Sequence, residues 1–200
     1  MGKVGSLSPP LLGARDYITG ASILDGLVSL VGPLEALRIR FKKLSCHILD
    51  VYALPDETFD SSPTAPVATL QTLRGTDSVR YALYQTSTPL AERIPYDEAD
   101  CTRQCLFTEL TVSQDEAPLG WTGVQRIVAL NKALLVQTTG VSKWLFVEMS
   151  LAEYPVEPMS VHIEASITKT STRLVRSKIF FDGRYKGDVL FAPGPETNGQ

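Results

Sequence analysis

Alternation of apolar and polar residues is the feature of this sequence that most constrains its fold. It is cleanest near the C-terminus, where the apolar positions are Val161, Ile163, Ala165 and Ile167. Side chains on a strand point alternately to its two faces, so this period of two predicts a strand with one buried face and one face in water. The same alternation over residues 37–42 predicts a second strand of this kind.

Turn sequences separate further segments of β character. Arg74-Gly75-Thr76-Asp77 and Asp182-Gly183-Arg184 are typical of hairpin turns. Ser22 to Val31 carries one apolar stripe, which predicts a helix capped by Ser22. Residues 133–151 suit a hairpin, although residues 123–135 could instead form a helix. With about seven to nine short strands, the chain is predicted to be mainly β (α+β), an antiparallel β-sandwich or barrel with one or two short helices.

Length and composition bound the domain organisation. The chain has 200 residues, of which 44% are apolar and 20% charged, as is typical of a globular protein with a sizeable core. Residues 1–13 are predicted to be a flexible arm, residues 14–192 a single β-rich domain, and residues 193–200 a flexible tail. The net charge of -3 gives no general attraction to nucleic acid or anionic lipid.

Cysteine and histidine offer few candidates for catalysis. Apolar positions from Leu44 to Leu54 predict a strand that runs through Cys46 and His47. Neighbouring residues on a strand point to opposite faces, so these two are not expected to form a catalytic pair. Cys101 and Cys105 lack the spacing of a zinc knuckle. We therefore predict that the chain is not an enzyme and binds no metal or cofactor, and the odd number of cysteines indicates a reducing compartment.

Two features could bring the chain to a membrane surface. The basic residues of the strand at 37–42 and its end lie on one face, where they are predicted to contact lipid or nucleic acid; they are Arg38, Arg40, Lys42 and Lys43. The first six residues have the form M-G-x-x-x-S of an N-myristoylation signal, which makes Gly2 the predicted lipidation site.

One short motif is suited to recognition by another protein. The prolines of Pro63-Thr64-Ala65-Pro66 lie in an acidic loop, and a P-x-x-P segment favours the extended conformation that partner proteins bind. The tetrapeptide is identical to the P-T/S-A-P late-budding motif, and in this the chain resembles the matrix proteins of enveloped RNA viruses. We therefore predict that Pro63, Thr64, Ala65 and Pro66 bind a partner.

The resemblance implies a non-enzymatic viral structural protein of the matrix type. Such a protein would associate with copies of itself beneath a membrane and recruit an ESCRT-type host factor through Pro63 to Pro66. Its further partners would be the membrane surface and the nucleocapsid or viral RNA. Its location would be the virion and the host cytoplasm, peripherally on the inner membrane face.

Two alternatives stay open. The helix-then-strand segment from Leu24 to Phe41 and the paired strands of residues 142–172 also resemble a single jelly-roll coat protein of a small icosahedral plant virus, which would form closed shells. The other alternative is an intracellular β-barrel ligand-binding module or an uncatalogued enzyme. Both the ligand-binding module and the enzyme would need an internal pocket with convergent polar groups.

Overall fold

Residues 1–55, 65–116, 118–156, 160–166 and 174–194 are described by a computed structural model. The chain divides into two units with their own internal contacts, where the sequence predicted a single domain over 14–192. Unit 1 comprises Met1–Asp97 and Ser150–Tyr154, and unit 2 comprises Glu98–Met149 and Pro155–Gln200.

Unit 1 is an antiparallel sheet with one helix. Its elements in chain order are β1 (Gly2–Leu7), β2 (Leu11–Leu12), α1 (Gly20–Val31), β3 (Glu35–Phe41), β4 (His47–Leu54), β5 (Ala68–Arg74), β6 (Asp77–Pro89) and β7 (Arg93–Ile94). The sheet order is β1-β4-β6-β5-β3, and the short strands β2 and β7 form a separate parallel pair. The predicted hairpin turn after Arg74 connects β5 and β6.

Helix α1 confirms the helix predicted from the apolar stripe. It begins at Gly20, so the predicted cap Ser22 is wrong and lies inside the helix. The cap is Thr19, whose hydroxyl accepts a hydrogen bond from the Ser22 backbone N–H at 3.2 Å. Leu24 and Leu27 are fully buried, and Ile23 is buried. The helix therefore forms because Thr19 caps its first turn and because its apolar face is buried.

The N-terminal residues pair with the sheet instead of forming the predicted flexible arm. β1 runs antiparallel to β4, with Gly2 opposite Ala53 and Leu7 opposite Leu49. Gly5 lets this strand approach α1, because a Cβ at that position would lie 2.7 Å from Leu30 Cδ1. The predicted tail at 193–200 lies outside the described residues from position 195 onward.

The strand after β3 differs in phase from the sequence prediction. Leu44 is 52% exposed, whereas Leu49 and Val51 are fully buried. The buried face of β4 therefore carries the opposite parity to the one that Leu44 predicted. The cause is that β3 ends at Phe41 and β4 starts only at His47, so a connection resets the alternation.

Unit 2 consists of antiparallel strands and a long helix. Its elements are α2 (Glu98–Thr102), β8 (Leu106–Phe107), β9 (Thr111–Gln114), α3 (Gly123–Thr139), β10 (Trp144–Glu153), β11 (Val161–Ser166), β12 (Val175–Phe181) and β13 (Arg184–Pro193). β10 ends among residues assigned to unit 1. The sheet order in unit 2 is β10-β13-β12-β11-β9-β8, and α3 packs against β9 and β11.

Helix α3 decides between the two predictions for residues 123–151. Thr122 and Gln125 form a reciprocal capping box at its start, and Gly140 ends it in the left-handed conformation with φ 73°. The helix includes residues 133–137, so the predicted first strand of a hairpin there is wrong. Helix propensity and the caps at both ends together make this segment a helix, whereas its short apolar run by itself fits a helix or a strand.

The final hairpin and the fold class are confirmed. Asp182 and Gly183 both have positive φ, as a two-residue turn between twisted strands requires, and they connect β12 to β13. The protein is mainly β and antiparallel, with three helices among the described residues. No helix in the described ranges is long and apolar enough to cross a membrane.

A hydrogen bond fixes the residue after β10 to α1 within unit 1. The Tyr154 hydroxyl donates to Asp25 Oδ1 at 2.5 Å, and the Tyr154 backbone N–H donates to Leu34 O at 3.1 Å. Burial, together with the neighbouring Asp25 carboxylate, raises the pKa of Tyr154. Ionised tyrosine is therefore strongly disfavoured at this position in the folded state.

We expect Tyr154→Phe to lower the free energy of unfolding near neutral pH by about 1–3 kcal/mol, because Asp25 loses a hydrogen-bond donor. The wild-type protein should also lose stability as pH rises above the unfolded tyrosine pKa of about 10, since only the unfolded state then readily releases this proton. Urea denaturation at neutral and alkaline pH measures both effects. Tyr84→Phe, at a ring packed edge to face on Tyr52, is the control. An equally steep alkaline loss in Tyr154→Phe would contradict the assignment.

Candidate functional site

The partner-binding motif of the sequence analysis lies partly outside the described residues. Pro63 and Thr64 fall in the undescribed segment, Ala65 is exposed, and Pro66 is buried next to the buried Val67. Val67 N donates to Leu83 O at 2.7 Å, which ties this end of the motif to β6. A partner could therefore not enclose Pro66 unless this part of unit 1 moved.

The four basic residues predicted to contact lipid or nucleic acid have exposed side chains. Arg38, Arg40, Lys42 and Lys43 are all exposed, while the intervening residues of β3 include buried Leu37 and Ile39. Gly2 is exposed at the first position of β1. Contact with lipid or nucleic acid and acylation of Gly2 stay predictions.

A buried arginine in unit 2 is the most unusual polar group that the structure describes. Arg126 lies in the first turns of α3, and its side chain is fully buried. Its Nη1 and Nη2 atoms have no hydrogen-bond partner among the described residues. A guanidinium keeps its charge at any physiological pH, so this burial is costly unless an anion or an acceptor compensates it.

Gln114 at the end of β9 holds the inner part of this arginine. Arg126 Nε donates to Gln114 Oε1 at 2.9 Å, and Gln114 Nε2 donates to Cys101 O at 2.6 Å. The amide is therefore fixed in orientation, with its oxygen toward the cation. Since Nε is satisfied, the unpaired hydrogen-bonding capacity lies at the outer end of the guanidinium.

A salt bridge attaches the short helix α2 to α3 beside this arginine. Lys132 Nζ lies 3.1 Å from Glu98 Oε1, and both side chains are largely shielded from solvent. Cys101 of α2 is fully buried, and Cys105 Sγ lies 3.8 Å from Cys101 O. We call Cys101, Cys105, Gln114 and Arg126 the arginine cluster.

Both thiols of the arginine cluster are held in their neutral form. Burial raises the pKa of Cys101 to about 12, with a further increase from Cys105. Burial also raises the pKa of Cys105, although the Arg126 charge and a hydrogen bond from Gln114 oppose the change. Burial in turn lowers the pKa of Arg126. Neither thiol is therefore poised as a thiolate nucleophile at neutral pH.

The cluster is suited to stabilising negative charge on a bound molecule. Four N–H bonds on Nη1 and Nη2 have no partner among the described residues, and the side chain is fully buried, where water screens a charge less than at the surface. Cys105 is the member of the cluster that reaches the surface, being only partly buried. Cys105 is therefore the member of the cluster that a molecule in the solvent could contact first.

Sequence reasoning missed Arg126 because it left residues 123–135 undecided between helix and strand. On a helix, Arg126 falls within the run from Val124 to Leu130 whose residues are almost all apolar. A lone charge among apolar helical positions indicates a buried ion, but only once the helix is assigned. Gln114 and the thiols become neighbours of Arg126 only in the folded chain.

Comparisons with known proteins give similarity in structure alone. No protein-family model and no curated protein matches the chain. The chain is similar to the tesB protein of Mycobacterium avium subs paratuberculosis, with 10% identity, a TM-score of 0.49, and coverage of 96% of this chain and 93% of that one. It is also similar to a bifunctional dehydratase-cyclase domain of ambruticin biosynthesis, with 10% identity, a TM-score of 0.48, and coverage of 90% and 84%.

A third similar structure is an acyl-ACP thioesterase from Bacteroides thetaiotaomicron, with 7% identity, a TM-score of 0.44, and coverage of 94% of this chain and 95% of that one. At these identities and TM-scores, the likeness assigns none of the three activities to this chain.

The similar structures correct the predicted function. Two of the three, the dehydratase-cyclase domain and the acyl-ACP thioesterase, are enzymes by name, and none of the three is named as a viral matrix or coat protein. The predictions of a matrix-type structural protein, of its coat-protein alternative and of a chain without enzyme activity are therefore wrong. The motif on which the viral resemblance was based has only four residues, which is too short to establish a function. Self-association and the cellular location stay predictions.

We expect Cys101 to resist alkylation in the folded protein, because its raised pKa leaves almost no thiolate at about pH 8. Iodoacetamide treatment followed by peptide mass spectrometry measures the modification of each cysteine. The same reaction in concentrated guanidinium chloride is the control and should modify all three. Rapid modification of Cys101 in the folded chain would contradict the burial of the arginine cluster.

Proposed function

We propose that this protein is an enzyme that acts on an acyl thioester and that Arg126 stabilises the negative charge that develops on the thioester carbonyl oxygen. The observation that carries the proposal is the fully buried guanidinium with two unpartnered nitrogens among the described residues. The choice of an acyl thioester follows the name of the similar acyl-ACP thioesterase and defines the first substrates to test.

The chemistry fits a group that binds the transition state better than the ground state. A carbonyl oxygen that gains negative charge, during attack by water or removal of an adjacent proton, becomes a stronger acceptor for Arg126 Nη1 and Nη2. Gln114 positions the guanidinium by accepting from Nε, so the donors do not have to reorganise during the reaction. Because Cys101 and Cys105 are neutral, they add no negative charge that would compensate Arg126.

A purely structural role for Arg126 would need different surroundings. An arginine that stabilises a fold normally donates all its N–H groups to carboxylates or carbonyls. Here only Nε has a hydrogen-bond partner among the described residues, so the outer nitrogens contribute cost instead of stability. Replacement by an apolar side chain of similar length thus separates the two roles.

We expect Arg126→Met to lower turnover of acyl-CoA substrates by about 10²- to 10³-fold, the usual effect of losing an oxyanion donor. The same change should leave the fold equally stable or more stable, by up to about 4 kcal/mol, because it removes a buried unpaired charge. Chromatography of CoA products from saturated and 2-enoyl substrates measures turnover, and urea denaturation measures stability.

The matched control is Arg103→Met, at an exposed arginine paired with Asp100 at 2.7 Å. It removes the same charge without touching the arginine cluster, so turnover should stay close to wild type. If Arg126→Met instead unfolds the protein, or turns over the substrates like wild type, the proposed role of Arg126 is wrong.

We expect Cys105→Trp to abolish turnover as well, since a large side chain at the partly exposed member of the cluster would block access to Arg126. Leu106→Trp is the control, because its side chain is 70% exposed at the edge strand β8. Substrate binding can be measured by calorimetry for both variants. Normal binding by Cys105→Trp would show that substrate does not approach past Cys105.

A further inference from the structure

Unit 1 contains a cysteine and a histidine in direct contact, which the sequence analysis did not expect. Cys46 Sγ lies 3.4 Å from His47 Nδ1, and both side chains are partly buried. The expectation of opposite faces assumed a continuous strand from Leu44. Because β4 begins only at His47, Cys46 belongs to the preceding connection and its side chain can turn toward the imidazole.

The backbone on both sides of this pair is fixed. Leu90 N donates to Cys46 O at 2.9 Å, and His47 N donates to the hydroxyl of buried Ser45 at 3.2 Å. The Ser45 hydroxyl donates in turn to Gln85 Oε1 at 3.1 Å. The contact therefore lies in an ordered part of the chain, at the end of the β4–β6 pair where His47 is opposite Pro89.

A thiol next to an imidazole nitrogen is the arrangement that activates cysteine. The imidazole takes the thiol proton, and the thiolate is the nucleophile. The protein offers an internal contrast, since Cys101 is fully buried and Cys105 Sγ donates to Cys101 O at 3.8 Å. Of the three cysteines, Cys46 alone is seen in contact with an imidazole in the described structure.

We propose that Cys46 is a nucleophilic thiol, activated by His47, that accepts an acyl group from a thioester donor. The choice of an acyl donor rests on the proposed function, whereas the reactivity of the thiol does not. This site lies in unit 1 and is made of different residues from the arginine cluster.

The transfer is balanced without any further reactant. Cys46 Sγ attacks the carbonyl carbon of the donor as its proton passes to His47 Nδ1. A new S–C bond forms, the S–C bond of the donor breaks, and the departing thiolate takes the proton from His47. One thioester is exchanged for another, so no oxidant and no energy source is required.

The first experiment measures the reactivity of Cys46 with limiting iodoacetamide and peptide mass spectrometry. We expect Cys46 to be alkylated first and His47→Gln to slow its alkylation by about tenfold or more. His162→Gln is the matched control, since His162 packs on Phe180 in unit 2, away from any thiol contact described. Equal alkylation of Cys46 in wild type and His47→Gln, or prior alkylation of Cys105, would overturn the proposal.

The second experiment uses octanoyl-CoA as the acyl donor on the intact protein. We expect a mass increase of one octanoyl group at Cys46 that hydroxylamine removes and that Cys46→Ser abolishes. Alkylation that depends on His47 without any octanoyl adduct would overturn the acyl-acceptor role. Neither measurement depends on turnover, so a negative result here leaves the Arg126 prediction intact, and failure of that prediction leaves this test valid.

Discussion

The burial of the Arg126 charge within unit 2 is the constraint on which the candidate site depends. Its guanidinium cannot be neutralised by losing a proton, so the surrounding structure has to satisfy it or tolerate the cost. Gln114 satisfies one nitrogen, and the Glu98–Lys132 salt bridge keeps α2 with its two nearby thiols against α3. The outer nitrogens have no hydrogen-bond partner among the described residues, and the proposed function rests on this observation.

The three cysteines show how position changes the chemistry of one functional group. Burial raises the pKa values of Cys101 and Cys105, and a positive charge nearby only partly opposes this for Cys105. Cys46 instead contacts the imidazole of His47, and both side chains are only partly buried. The two proposals therefore concern chemically different groups in the two units, a buried guanidinium in unit 2 and a thiol in contact with an imidazole in unit 1. The two proposals can be tested separately for that reason.

Local rules accounted for most of the secondary structure. Alternation predicted the buried set Val161, Ile163 and Ala165, and turn residues predicted the hairpin at Asp182-Gly183. The rules failed where a connection shifted the phase, so that Leu44 is exposed while Leu49 is buried. The tetrapeptide at 63–66 misled for a related reason, since a motif of four residues carries no information about its surroundings, and Pro66 is buried.

The sequence by itself determined the antiparallel, mainly β class, the first helix and the final hairpin, because these depend on residues close together in the chain. The sequence also places Arg126 among apolar residues, which indicates a buried charge once the helix α3 is assigned. Only the tertiary structure decided that Gln114, Cys101 and Arg126 share one buried cluster and that Cys46 turns toward His47. Those contacts depend on how helices pack on sheets and where a strand begins, which no local pattern encodes.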